Sequence, residues 1–246
     1  MRSLMKRWAR AAGYRVERWR PANRFSAMSD ALELLRLRGF QPRVIIDGGA
    51  NIGEWAEMAL DIFPGAAIHL VEPQPACRPQ LERLAHNREA ATVHAVALSQ
   101  PGRTSLAFTG GAAGGGTGVH VLTARETEVE LDAAATTLDE LFAARISRAD
   151  RPLLKLDLEG HELDALRGAV AVFKAVEVIV IEARLYDINN NGLPVFRDLF
   201  QLLDRAGFEL YDVASIGWRR RDMRMHMLDA VFVRADSALA ADRSWL

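Results

Sequence analysis

Residues 44–53 read VIIDGGANIG and decide the fold. The first three are apolar and β-branched, which is typical of a short strand buried on both faces of a parallel sheet. The strand ends in Asp47, and the glycines that follow let the backbone pass close to a ligand where a Cβ atom would collide. A helix then begins with free N–H groups. Doubly wound α/β folds hold nucleotide-like ligands at such a turn.

Outward from this stretch, apolar strands alternate with helical patterns. We predict strands over residues 44–46, 67–71, 92–98, 153–156 and 176–181, and helices over residues 54–63 and 79–87. This alternation predicts a parallel sheet with right-handed crossovers. Residues 208–213 and 230–234 predict two more strands without a helix between them, which favours an antiparallel hairpin at one edge. The fold class is therefore α/β and Rossmann-like.

An insertion separates the third and fourth core strands. Residues 105–108 and 127–131 alternate like exposed strands, and the glycine-rich segment 110–118 lies between them. This segment is either a mobile lid near the substrate or a flexible linker without chemical importance.

The glycine-rich turn does not carry a dinucleotide fingerprint. Aligned on Gly48 and Gly53, the middle glycine of G-x-G-x-x-G is replaced by Ala50. A carboxylate at Asp47 would repel a pyrophosphate but can accept hydrogen bonds from an ammonium group. S-adenosylmethionine has that ammonium group and no phosphate. Glu72 ends the second strand, 19 positions past Gly53, where an acid typically binds a ribose diol.

A third polar segment, residues 153–162 with the sequence LLKLDLEGHE, ends the fourth predicted strand. Asp157 is expected to face the reacting groups, and Glu159 and His161 follow in the loop. A carboxylate or a neutral histidine can take a proton from an attacking hydroxyl. His161 could instead cap the next helix or bond to a backbone carbonyl. Charged residues at a buried strand end are costly without a purpose.

The overall composition limits which classes of protein this chain can belong to. The formal net charge is −1, which argues against a chain that mainly coats nucleic acid. The single cysteine, Cys77, excludes an intrachain disulfide and a cysteine-based zinc site, and it favours the cytoplasm. Because no apolar run approaches the ~20 residues of a membrane span, none is predicted.

The N-terminal region is predicted to be helical. Residues 1–20 are basic and have a narrow apolar stripe. This pattern favours packing on the catalytic domain or on a partner chain over contact with an anionic membrane, which stays the alternative. Asp30 and Glu33 resemble a capping box that opens a second helix, and Gly39 is a plausible stop. We therefore predict a helical extension over 1–41, a catalytic domain over 42–236 and a tail over 237–246.

Taken together, these motifs resemble those of the FkbM family of methyltransferases. The resemblance covers roughly residues 42–235. It rests on the order and spacing of IDGGANIG (46–53), VEP (71–73), TTLDEL (136–141) and LKLDLEGHE (154–162), with VIE (180–182) and AVFV (230–233) at core-strand positions. It implies a seven-stranded, mostly parallel sheet whose last strand is antiparallel. It also implies S-adenosylmethionine as cofactor and, as in most characterised members, methylation of hydroxyls on sugars and natural products.

Carried over by position, the resemblance also assigns residues. Asp157 and Glu159 fall at the reaction centre, and we add His161 as a candidate catalytic residue. The residues implied in cofactor binding are Asp47, Gly48, Gly49, Ala50, Asn51, Gly53, Glu72, Pro73, Ala97 and Asp157.

The predicted function is therefore O-methylation of a small-molecule or saccharide acceptor. An NAD-type oxidoreductase and a non-catalytic cofactor-binding protein are the alternatives. Nucleic acid is not expected as a partner, because neither a basic face nor an Asn/Asp-Pro-Pro-aromatic motif is visible. No metal is predicted, because no compact ligand motif is present. A divalent cation held by Asp157 and nearby carboxylates such as Glu182 is the weaker alternative. Homo-oligomerisation stays open. Arginines within residues 218–226 suit a phosphate or carboxylate, or form a solvated loop.

Overall fold

The computed structural model describes residues 24–88, 90–111, 118–123 and 126–245. The predicted helix over residues 1–20 lies outside the described residues. The α-helices are α1 (Arg24–Leu37), α2 (Glu54–Ile62), α3 (Arg78–Asn87), α4 (Leu138–Phe142), α5 (Glu162–Arg167) and α6 (Phe196–Arg205). Short 3-10 helices span Arg148–Asp150, Val172–Lys174, Ile188–Asn190 and Ala238–Ala240.

The strands form two sheets. They are β1 (Val44–Gly48), β2 (Ala67–Val71), β3 (Ala91–His94), β4 (Ala97–Leu98), β5 (Ser105–Thr109), β6 (His120–Val121), β7 (Leu131–Thr136), β8 (Leu153–Leu156), β9 (Val178–Arg184), β10 (Phe208–Trp218) and β11 (Met225–Arg234). The main sheet has the order β10-β11-β9-β8-β1-β2-β3. Pairings from β3 to β9 are parallel, whereas β11 runs antiparallel to β9 and to β10. This confirms the predicted seven-stranded sheet with an antiparallel last strand.

The central strands are parallel and buried because both of their faces are covered. Ile45 contributes to a core with α1 and α2, while its neighbour Ile46 contributes to a core on the opposite face. The second core also contains Leu154 and Leu156 of β8. Successive side chains of a strand point to opposite faces, so a strand between two helical layers is apolar throughout.

Three strand predictions need correction. The strand predicted over residues 92–98 is split, because β3 pairs with β2 whereas β4 leaves the main sheet and pairs with β7. The strand predicted over residues 127–131 is wrong, because β7 begins only at Leu131. The fifth strand begins two residues later than predicted and extends to Arg184.

The predicted capping box in the first described helix is also wrong. Helix α1 already begins at Arg24, so Asp30 lies inside it, and Glu33 forms an ion pair with Arg36 instead. Gly39 does terminate this helix region, with a φ of +87° that favours glycine. The helix packs into the domain core through Leu32 and other apolar residues. The boundary at residue 41 stays a prediction.

A smaller sheet, of order β4-β7-β5-β6, is built largely from the insertion. Its apolar residues, including Leu106 and Phe108, form a separate small core. Of the glycine-rich segment 110–118, only Gly110, Gly111 and Gly118 lie within the described residues. Among the described helices, none is both long and apolar enough to cross a membrane.

Candidate functional site

A cavity of about 730 Å³ lies at the carboxyl ends of the central strands. Its wall combines the turn after β1, the residues after β2, strand β4 and the ends of β8 and β9. Side chains of β5 and β6 complete the wall, so the small sheet borders this cavity. Such a volume suits a ligand the size of a nucleoside and an adjacent small acceptor.

The turn after β1 requires glycine at residue 49. Gly49 has a φ of +74°, and a Cβ atom there would lie 2.0 Å from the carbonyl oxygen of Asp157. The backbones of the two loops are therefore in close contact. The N–H groups of Gly49 and Ala50 donate to the carbonyl of Val71 at 2.9 and 3.2 Å, which fixes the turn against the end of β2.

Glu72 joins two parts of the cavity wall. Its Oε2 accepts a hydrogen bond from the Asn51 N–H at 2.9 Å, and its Oε1 accepts one from the Gln74 N–H at 3.0 Å. The side chain is buried, and burial raises its pKa, while the two backbone hydrogen bonds oppose that rise. Because each carboxylate oxygen can accept more than one hydrogen bond, Glu72 can also accept ligand hydroxyls.

Asp47 lies behind the cavity and not on its wall. It has no solvent exposure, and the ammonium group of Lys155 lies 3.0 Å from its Oδ1. Lys155 also donates to the Gly49 carbonyl at 2.8 Å and itself lines the cavity. The predicted direct contact between Asp47 and a ligand ammonium group therefore does not fit the geometry. A buried charge needs a partner, and Lys155 is that partner.

The loop after β8 is organised by Glu162. The buried carboxylate accepts hydrogen bonds from the Leu158 N–H at 2.7 Å and from the Gly160 N–H at 3.0 Å. Burial raises the pKa of Glu162 to about 7, against the effect of these bonds. This arrangement closes the loop that carries Asp157 and Glu159 and holds both residues at the cavity wall.

His161 bonds to a buried serine. Its Nε2 lies 3.0 Å from Ser99 Oγ, whereas Asp164 Oδ2 is 3.9 Å away. His161 occupies the N-cap position of α5, but its side chain makes no capping hydrogen bond, so the predicted capping alternative is wrong. Burial lowers the pKa of His161, which favours a neutral ring near pH 7.

Carboxylates dominate the end of the cavity near β9 and β11. Single oxygens of Asp157, Glu159 and Glu182 lie within 4.8 Å of one another. Asp229, which pairs in register with Glu182, also lines the cavity. Glu159 Oε1 accepts from the Gly118 N–H at 3.1 Å. Such a cluster suits a positively charged or hydroxyl-rich ligand, and its spacing would also admit a divalent cation.

The structure brings most of the predicted site residues together. Those that line the cavity are Gly49, Ala50, Asn51, Glu72, Pro73, Ala97, Asp157, Glu159 and His161. Asp47, Gly48 and Gly53 do not line it, and they shape the turn from behind. The roles of all these residues toward a ligand stay predictions.

The cavity wall also contains Lys155, Trp55 and Asp229, which sequence reasoning missed. A lysine inside a fully apolar strand was a usable signal for Lys155, because such a charge requires a buried partner. Trp55 had no comparable signal, since a tryptophan in the first turn of an amphipathic helix usually packs in the core. Asp229 lies on β11, where only the register with β9 brings it beside Glu182.

Comparisons with solved structures show distant similarities. The methyltransferase FkbM from Methylobacillus flagellatus KT has 16% identity and a TM-score of 0.48, over 81% of this chain and 47% of that one. The present chain thus spans about half the length of that protein. Magnesium protoporphyrin IX methyltransferase from Synechocystis PCC 6803, solved with bound SAM, has 10% identity and a TM-score of 0.45, over 94% and 91% of the two chains.

Aeropyrum pernix fibrillarin, in complex with natively bound S-adenosyl-L-methionine, has 16% identity and a TM-score of 0.44, over 83% of this chain and 75% of that one. No curated protein matches the chain. The methyltransferase FkbM domain matches residues 47–210, more than half of the chain. This span contains the glycine-rich turn, Glu72 and the loop after β8. The chain therefore belongs to the FkbM methyltransferase family.

Proposed function

We propose that the protein transfers a methyl group from S-adenosylmethionine to a hydroxyl oxygen of a sugar, glycan or other hydroxylated natural product. One observation carries this proposal: the glycine-rich turn, Glu72 and the carboxylates around Asp157 border one cavity. The nucleoside end and the reacting end of the site are therefore continuous. Family membership supports methyl transfer, and the acceptor class is our inference.

The cavity wall fits the chemistry of this cofactor. S-adenosylmethionine combines a ribose diol with a sulfonium, an ammonium and a carboxylate group. Glu72 suits the diol, and Ala97 borders the same region as an apolar surface for the adenine. At Gly49 the backbone of the turn packs directly against the Asp157 carbonyl, with no space for a Cβ atom, so the turn and the Asp157 loop lie side by side at the cavity. These residues would hold the cofactor.

The charge of the wall also favours this cofactor over NAD. Among the described lining residues, Lys155 is the one lysine or arginine. The acidic lining residues are Glu54, Glu72, Asp157, Glu159, Glu182 and Asp229. A wall with this excess of carboxylates attracts a sulfonium and an ammonium group and repels a diphosphate. Asp47 does not contribute to this attraction, because its charge is already paired with Lys155.

Lys155 has a positioning role in this proposal. Its ammonium group contacts the end of β1 through Asp47 and the glycine-rich turn through the Gly49 carbonyl, and it lies 3.9 Å from Asp157 Oδ2. It therefore fixes the position of the glycine-rich turn relative to Asp157. The carboxylate group of the methionine moiety is the natural anionic partner for this lysine at the cavity wall.

When bound, the cofactor supplies an electrophilic methyl group on a sulfonium sulfur. Transfer forms a carbon–oxygen bond, breaks the carbon–sulfur bond with its electrons going to sulfur, and releases the acceptor's hydroxyl proton. Asp157 is the proposed general base for that proton, with neutral His161 as the second candidate. The surrounding wall orients the two reactants and excludes water, which is the main contribution of the protein to such a displacement.

The fate of the cofactor in solution distinguishes the proposal from its alternatives. We expect S-adenosylhomocysteine to form when the protein is incubated with S-adenosylmethionine and a panel of sugars and hydroxylated metabolites. Binding without turnover of any acceptor would favour a non-catalytic protein, and binding of NAD in place of S-adenosylhomocysteine would favour an oxidoreductase. The single buried cysteine agrees with a cytoplasmic setting, which we also propose.

A further inference from the structure

The loop between β10 and β11 lies at the same edge of the sheet as the cavity. We call residues 218–225 the hairpin tip. Strand β11 pairs with β9 in a register that places Met227 opposite Arg184. The hairpin tip therefore projects beyond the carboxyl end of β9. That strand also carries Glu182 of the cavity wall, so the tip lies at the same edge of the sheet as the acidic end of the cavity.

The hairpin tip is strongly basic. Arg219, Arg220, Arg221 and Arg224 lie within eight residues, together with the single acidic residue Asp222. Three of these arginines are exposed, while Arg219 is half-buried. The tip therefore has a positive charge, whereas the charged residues of the described cavity wall are mostly acidic. An anionic group is repelled by that wall and attracted by the tip.

The side chains of two of the four arginines, Arg219 and Arg224, are held in place by contacts. Asp222 Oδ1 accepts hydrogen bonds from Arg219 Nε at 2.9 Å and from the Arg224 N–H at 3.2 Å. The guanidinium carbon of Arg224 lies 4.0 Å from the centroid of the Tyr186 ring. Tyr186 lies two residues after the end of β9, so the stacking joins the tip to the segment that follows a strand of the cavity wall. Pre-organised guanidinium groups lose less entropy when they bind an anion.

We propose that the hairpin tip binds a phosphate or pyrophosphate group of the methyl acceptor. The hydroxyl-bearing part of the same molecule would enter the acidic cavity, and the anionic group would stay outside on Arg220, Arg221 and Arg224. Guanidinium groups suit this ligand because they donate paired N–H groups to phosphate oxygens. The inference rests on the proposed function, and it narrows the acceptor to a phosphorylated or pyrophosphate-linked hydroxyl compound.

Inorganic pyrophosphate is the probe that tests this site without knowledge of the acceptor. Isothermal titration is done with the wild-type chain and with the triple variant R220A/R221A/R224A. We expect the Kd for pyrophosphate to rise at least tenfold in the triple variant. The matched control is R197A/R205A, which removes two exposed arginines of α6, and we expect its Kd to stay within twofold of wild type. Y186L is expected to weaken binding severalfold, because Arg224 loses its stacking partner.

Titration of S-adenosylhomocysteine into the same variants separates this proposal from the proposed function. We expect all of them to bind it like wild type, which also shows that they fold. If no form of the protein binds S-adenosylhomocysteine, the proposed function fails. Pyrophosphate binding still tests whether the hairpin tip is an anion-binding site. Equal pyrophosphate affinity in wild type and the triple variant overturns the tip proposal.

A membrane is the competing occupant, since Trp218 and Met223 at the tip are 46% and 67% exposed. Sedimentation with phosphatidylglycerol vesicles tests it. Vesicle binding that is lost in the triple variant, together with absence of pyrophosphate binding to wild type, would overturn the proposal in favour of a membrane surface. Pyrophosphate binding that depends on the tip, without sedimentation, supports the proposal.

Discussion

Lys155 Nζ lies 3.0 Å from Asp47 Oδ1, and both side chains are almost completely buried. The two residues are paired in register on the neighbouring strands β1 and β8. Asp47 lies behind the cavity wall, whereas Lys155 reaches that wall and contacts the glycine-rich turn through the Gly49 carbonyl. A charge pair inside the core thus shapes the site from behind.

Removing the charge of Lys155 is expected to destabilise the protein more than removing the charge of Asp47. K155M leaves a buried carboxylate alone and is expected to cost about 3–5 kcal/mol of unfolding free energy. D47N is expected to cost less, because Lys155 keeps its bond to the Gly49 carbonyl. The double variant K155M/D47N is expected to recover most of the loss seen in K155M. Urea unfolding of all four proteins completes the cycle.

The same variants separate stability from cofactor binding. We expect Lys155 to position the turn and to bind the cofactor carboxylate. The double variant should therefore regain stability, but its affinity for S-adenosylhomocysteine should remain at least tenfold lower than that of wild type. Wild-type affinity in K155M/D47N would reduce Lys155 to a purely structural role.

The contact between the two cavity loops makes a second prediction. G49A places a methyl group 2.0 Å from the Asp157 carbonyl oxygen at a φ of +74°, so backbone must move. We expect a loss of several kcal/mol in stability and weak cofactor binding. G102A is the matched control, because Gly102 has a φ of +86° but no atom within 4 Å of the added Cβ. It is expected to cost about 1 kcal/mol. Equal effects of the two changes would contradict the close contact.

Much of the fold was predictable because the central strands are short, apolar and bounded by turns. Strand β2 has the predicted bounds, and β8 does too. The strand predicted over residues 92–98 failed because an apolar run does not show where a chain leaves one sheet for another. Strand β7 was misplaced because its alanine-rich sequence, LDAAAT, has little β propensity of its own.

Parts of the site could not be predicted for a different reason. Asp47 and Lys155 were both visible as charges at buried positions, but their pairing depends on the register between β1 and β8. Because the paired residues of β1 and β8, such as Asp47 and Lys155, are 108 positions apart in sequence, no local pattern carries that register. Glu72 was predictable, since its place at the end of β2 follows from the spacing after the glycine-rich turn.

The proposed base gives a third prediction. D157N keeps the size of the side chain but removes its capacity to accept a proton. We expect turnover to fall by about 10²–10⁴-fold, the usual contribution of a general base, with a change in S-adenosylhomocysteine affinity of less than tenfold. D204N, an exposed change on α6, is the control and is expected to keep wild-type turnover. Full turnover by D157N would exclude Asp157 as the base.

The buried carboxylate of Glu162 predicts a pH dependence of stability. Its pKa is about 7 in the folded protein against an ordinary value of 4.5, with burial as the main cause. Between these values the folded state binds more protons than the unfolded state, so stability falls as pH rises. The loss attributable to Glu162 is at most about 3 kcal/mol.

E162Q has no titrating group at this position and is expected to lack that part of the decline. Urea unfolding at pH 4.5, 6 and 8 measures it, with the exposed change E82Q on α3 as control. The unfolding free energies of wild type and E82Q should change in parallel with pH. As pH rises, the unfolding free energy of wild type should fall relative to that of E162Q. A difference that stays constant from pH 4.5 to 8 would show that Glu162 ionises normally.

The central claim is that Glu72 holds a ribose diol in the cavity bordered by the glycine-rich turn. Isothermal titration of S-adenosylhomocysteine into wild type and E72Q tests it most directly. Wild type is expected to bind the ligand and not NAD, and E72Q is expected to bind it at least tenfold more weakly, because one hydroxyl acceptor is replaced by an amide donor. Equal affinity of the two proteins for S-adenosylhomocysteine, or binding of NAD alone, would contradict the account.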